Sequence, residues 1–144
     1  MNAAFLSPLR TETIGERRWL LTDDLVFYSA IYRGVFIAPR GFQTDLASIP
    51  RIAWVLFPKV GKHDKGAVIH DGAYANALVT QDGDRIFAAK AVGDTLFNEG
   101  MRAEHVNGLT RRFMHRAVAI WGDPNGHPLA NALPSTMQLR RQTI

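Results

Sequence analysis

The sequence predicts an α+β domain: a small N-terminal antiparallel β-sheet followed by three or four packed helices and an irregular C-terminal tail. Two observations carry this. Before Pro50 the apolar residues come in short runs rich in aromatic and branched side chains, separated by turn residues. After Pro50 their spacing lengthens to about 3.6 residues, the period of a helix. From Asp123 onward, Pro124, Gly126, Pro128 and Pro134 break any long regular element. The chain therefore divides into one α+β domain over 1–122 and an irregular tail over 123–144, suited to docking on another chain or to disorder.

Arg18-Trp19-Leu20-Leu21, Leu25-Val26-Phe27-Tyr28 and Val35-Phe36-Ile37-Ala38 are the predicted strands, joined through Asp23-Asp24 and Arg33-Gly34 and followed by the turn Pro39-Arg40-Gly41. The predicted helices span 64–79, 85–101 and 106–121. Their stripes are Ala67, His70, Asp71 and Tyr74 in the first, and Phe87, Lys90, Ala91, Asp94, Phe97 and Met101 in the second. The third groups Val106, Leu109, Phe113 and Ile120. Asp64 and Asp84 read as N-caps, and Asn107-Gly108 marks the start of the third helix.

With 144 residues, 47% hydrophobic and 21% charged, the composition is that of one globular domain. No run approaches the roughly eighteen apolar residues of a membrane span, and Met1 to Arg10 lacks the features of a signal peptide. The expectation is a cytoplasmic chain that does not span a membrane. Cysteine is absent, which excludes disulfides, thiol nucleophiles and thiolate metal sites, so a metal would need oxygen or imidazole ligands. The net charge of +4 is unevenly spread: residues 101–144 hold six Lys/Arg against two Asp/Glu. Without a groove-reading motif this excess argues against nucleic acid as the partner. There is also no glycine-flanked serine elbow and no phosphate-binding glycine motif.

The chemistry-bearing segment is His70-Asp71-Gly72-Ala73-Tyr74. His70 and Tyr74 are one helical turn apart, and Asp71 lies about 100° around from His70. Asp94 falls on the stripe of the next helix, and a short turn over 80–84 would make the two helices antiparallel neighbours. A carboxylate there can hold one ring nitrogen of His70 and leave the other as a base. Asp71 then reads as an oxygen ligand for Ca²⁺, completed by Asp45 and the Leu46 region of the loop 41–51. Such a site would activate water with the dyad and polarise an ester carbonyl with the metal. Arg51 and Arg85 read either as partners for Asp45 or Asp94 or as clamps for an anionic substrate. The structural alternative is a buried His-Asp pair that locks two helices and does no chemistry.

Four segments together resemble a domain-of-unknown-function family, number 1353, common in tailed phages and prophages. They are Gly41 to Arg51, Ala67 to Tyr74, Asp94-Thr95-Leu96-Phe97 and Ala117 to Gly122, and the resemblance runs from Val35 to Gly122. It implies a phage gene among the late structural or lysis genes, and so a protein in the bacterial host cytoplasm or incorporated in the virion. More distantly, His-Asp-x-x-Tyr followed by Asp-x-x-Phe is similar to the catalytic helix pair of phospholipase A2. That resemblance implies His70 as general base, Asp94 as its orienting carboxylate, Tyr74 as the phenol bonded to the dyad, and Asp71, Asp45 and the Leu46 carbonyl as calcium ligands. The chain departs from it in lacking the glycine-rich calcium loop and any cysteine. Two functions follow as expectations. One is a calcium-assisted hydrolase of an ester in membrane lipid or cell envelope. The other is a non-catalytic virion or tail-associated component whose tail docks on phage structural proteins.

Overall fold

The computed structural model describes residues 1–16, 18–44, 64–121 and 141–143. Among these, β1 (Ala4–Phe5), β2 (Thr11–Gly15), β3 (Arg18–Leu21), β4 (Leu25–Ser29), β5 (Gly34–Ala38) and β6 (Gln43–Thr44) come first. Then follow α1 (Asp64–Tyr74), β7 (Arg85–Phe87), α2 (Lys90–Ala103), α3 (Gly108–Trp121) and β8 (Arg141–Thr143). The first six strands make two three-stranded antiparallel sheets, ordered β1-β4-β5 and β2-β3-β6. The fold is α+β, with antiparallel sheets in the N-terminal half and three helices after them.

The three predicted strand runs are β3, β4 and β5. In β4 the two-residue alternation sends Leu25, Phe27 and Ser29 inward, and β5 answers with Phe36 and Ala38. These side chains meet Val68, Ile69 and Ala73 of α1 and Leu96 of α2 in one core. β6 is short but consequential, because pairing of Trp19 with Thr44 brings Thr44 to a buried position under α1.

Two helix boundaries differ from the periodicity by five residues, and the others by two at most. The first helix stops at Tyr74 rather than 79, because Asn76 takes a left-handed conformation with φ of 52°. The Ala77 N–H then bonds the Gly72 carbonyl and the Asn76 N–H bonds the Ala73 carbonyl, which is the Schellman closure of a helix. The second helix starts at Lys90 rather than 85. Residues 85–87 are extended instead, since the Ile86 N–H bonds the Leu78 carbonyl and Val79 bridges Ile37 on one side and Arg85 on the other. Asp84 is accordingly a turn residue, its N–H held by the Thr80 hydroxyl, and Ala89 occupies the N-cap of α2 with no side-chain bond. Within the tail, β8 pairs in parallel with β7 of the same chain.

α1 and α2 approach until their backbones touch. A Cβ on Gly100 would stand 3.1 Å from the Cα of Gly66, and one on Gly66 would stand 3.3 Å from the Phe97 carbonyl oxygen. Glycine is required here by contact, not by torsion. The third predicted stripe is corrected: Leu109 is 80% and Phe113 38% exposed, whereas Met114, on the other side of α3, is buried. Periodicity identifies an apolar face but cannot say which way the helix is turned. Asn107 does cap α3, its Oδ1 accepting the Leu109 N–H at 2.8 Å.

Candidate active site at the His70 and Asp94 pair

From Gly66 to Tyr74 every residue of α1 is buried, so its polar side chains must find partners inside the protein. His70 Nε2 lies 3.0 Å from Asp94 Oδ1, and the Tyr74 hydroxyl donates to the same oxygen. Lys90 Nζ donates to Asp94 Oδ2 at 2.9 Å. The His70 ring packs 4.0 Å from the Tyr74 ring and 5.2 Å from that of Phe97, centroid to centroid. Asp71 Oδ2 accepts the Thr44 hydroxyl at 2.6 Å, which ties α1 to the edge of the second sheet. On the far side of α2, His115 Nδ1 lies 3.1 Å from the Asp94 carbonyl oxygen and joins α3 to the same point.

His70 Nδ1 is buried without a hydrogen-bond partner among the described residues. Asp71 Oδ1 stands 3.9 Å from it, beyond hydrogen-bond length. With Nε2 donating to Asp94, Nδ1 is the lone-pair nitrogen of the ring. Burial alone would lower the pKa of this imidazole, but the carboxylates of Asp71 and Asp94 outweigh it and the net shift is upward. Burial would raise Asp94, yet His70, Tyr74 and Lys90 together hold it down at about 2. Tyr74 is pushed upward by burial and then by Asp94, so its phenol stays protonated and remains a donor.

These shifts fix the sign of the pH dependence of stability. The raised His70 contributes stability that is complete below its ordinary value of 6.5 and is lost as pH rises through its folded value. The lowered Asp94 contributes stability that is present above 3.8 and is lost as pH falls through about 2. Tyr74→Phe removes one donor from Asp94. It is expected to cost about 1 kcal/mol and to move the acid limb of stability to higher pH, as read by thermal melts across a pH series.

His70, Tyr74 and Asp94 thus converge as the spacing predicted, with Asp71 alongside. Asp45, Leu46 and Arg51 lie outside the described residues. Arg85 is in β7, where its Nε donates to the Asn76 carbonyl at 2.5 Å and its guanidinium lies 5.3 Å from the Phe87 ring centroid. The cation on Asp94 is Lys90, which the sequence signals by its position four residues earlier on the same helix. Thr44, which lies within the loop 41–51, is the hydrogen-bond donor to Asp71. A calcium ion takes six to eight oxygens. Among the described residues no group of three or more His, Asp or Glu is placed to hold a metal.

A family model described as a protein of unknown function, DUF1353, matches residues 19–118. The chain belongs to the DUF1353 family. The DUF1353 region begins in β3, earlier than the resemblance from Val35 onward, and so takes in the β4–β5 hairpin as well as both helices of the dyad. Comparison with curated proteins and with solved structures found no match. Among the described residues, no helix of this DUF1353 protein is long and apolar enough to cross a membrane.

Proposed function

We propose that the protein is an ester hydrolase whose general base is His70, acting on an ester of membrane lipid or cell envelope in the phage setting that the family resemblance implies. The observation that carries this reading is the bare Nδ1 of a ring whose other nitrogen is held by a carboxylate. Water bound at Nδ1 gives its proton to that nitrogen as its oxygen attacks the ester carbonyl. Asp94 keeps the Nε2–H tautomer in place and, with Asp71, stabilises the imidazolium that forms. When the tetrahedral intermediate collapses, the imidazolium returns the proton to the leaving alkoxide, so ester and water become acid and alcohol. Tyr74 and Lys90 hold Asp94 ionised for this role.

A second reading has its own support. His70 is only 1% exposed and Asp94 has all its partners within the chain, which favours a lock between helices in a virion or tail-associated component. Assay of the wild type and His70→Asn on phospholipid and short-chain esters separates the two. Hydrolysis in the wild type that vanishes in a folded variant supports the base. An inert wild type, with a variant that is merely less stable, overturns it.

Calcium at Asp71, with Asp45 and the Leu46 carbonyl, is a separable part of the proposal. Calorimetric titration is expected to show saturable binding that stabilises the wild type and is lost in Asp71→Asn. No binding at millimolar calcium removes the metal and leaves the dyad.

A further inference from the structure

We infer that the outward stripe of α3 docks on an anionic phospholipid bilayer. Leu109, Arg112, Phe113 and Arg116 stand at i, i+3, i+4 and i+7 and share one side of the helix. Leu109 is 80% and Phe113 38% exposed, and both arginines are exposed. The sequence of α3 holds Arg111, Arg112 and Arg116 and not one acidic residue. Arg111 and Arg112 moreover lie near the N-terminal end, where the helix dipole disfavours cations, so helix stability does not account for them. The orientation of the stripe is fixed from behind by buried Met114 and by His115 against the Asp94 carbonyl.

The basic surface continues beyond the helix. A cavity of about 860 Å³ beside it is lined by Arg111, Arg102 at the end of α2, Ile31, which is 61% exposed, and Glu99, whose carboxylate is taken up by the Ser29 hydroxyl and the N–H groups of Ala30 and Ile31. Glu104, the acid nearest to Arg102 in sequence, is held by Lys65 at 3.1 Å. The face therefore mixes arginines that have no carboxylate partner among the described residues with projecting aliphatic groups. A nucleic acid would engage the arginines and leave Leu109 and Ile31 in water. A bilayer takes both, phosphates on the guanidinium groups and the apolar side chains at the headgroup boundary. Docking does not require the dyad to be catalytic. Only the further step, that the docked lipid is the substrate, rests on the hydrolase reading.

Sedimentation of the full chain with vesicles tests this. Binding is expected to phosphatidylcholine vesicles containing phosphatidylglycerol, not to phosphatidylcholine alone, and to weaken with added salt. Leu109→Asn is expected to weaken it about tenfold, and Arg112→Gln with Arg116→Gln about thirtyfold. Position 109 is too exposed for that substitution to unfold the protein. His70→Asn is expected to bind as the wild type does, so a wild type that binds the vesicles but hydrolyses nothing counts against the hydrolase reading alone. Three results would overturn the inference: no binding to the anionic vesicles, equal binding to an oligonucleotide that Leu109→Asn leaves unchanged, or a dimer that Leu109→Asn splits.

Discussion

On the proposed hydrolase reading, Asp94→Asn is expected to lower the rate of ester hydrolysis by about four orders of magnitude while the protein stays folded. The amide has the shape of the carboxylate and still offers an oxygen to the Tyr74 hydroxyl, and Lys90, whose side chain is 32% exposed, turns to solvent. What disappears is the charge that stabilises the imidazolium as the proton arrives. The pH profile identifies this cause. Base catalysis needs neutral His70, and the two carboxylates raise its pKa, so the wild-type rate rises with pH along a limb above 6.5. Removing one carboxylate charge moves that limb to lower pH. A variant with an unshifted limb and an unchanged rate would place the chemistry elsewhere.

The largest expected loss of stability lies away from the dyad. Glu99 of α2 is 6% exposed and accepts three hydrogen bonds at the turn between β4 and β5. The Ser29 hydroxyl donates to Oε2 at 2.6 Å, and the N–H groups of Ala30 and Ile31 donate to Oε1 at 2.7 and 3.1 Å. Ser29 in turn accepts the Tyr32 N–H, so one carboxylate organises the whole turn. Glu99→Ala leaves these donors without an acceptor and is expected to cost about 3 kcal/mol in urea unfolding. Glu99→Gln keeps an oxygen for the two amides, and its loss is expected to be about half as large. Equal losses in the two variants would show that packing, not acceptance, is what Glu99 supplies.

The parts readable in the sequence are those set by local pattern. Short aromatic and branched runs mark β3 to β5, and the spacing of His70, Tyr74 and Asp94 brings the dyad together on two adjacent helices. What could not be read depends on distant partners. β1 has two residues and exists because Ala4 and Phe5 pair with Tyr28 and Phe27, and β2 is exposed along its whole length, with no burial pattern to detect. Ile86 looks like a helical residue until Leu78 and Val79 supply an extended neighbour. The left-handed turn at Asn76 competes with a periodicity that continues past it. Lys90 was on the predicted stripe, but apolar periodicity treats a lysine as a boundary residue and overlooks its reach to Asp94.

The bare contact between Gly66 and Gly100 works as a ruler. It sets the spacing between two helices by the absence of atoms, and the hydrogen bond from His70 to Asp94 is stretched across the same gap one turn further along. Each carbon added at either glycine inserts a shim of known thickness. A graded series from alanine to serine to valine at position 100 would therefore tune the reach between imidazole and carboxylate without altering either group. The distance dependence of the dyad thus becomes an adjustable variable, set from a buried position that is part of neither the imidazole nor the carboxylate.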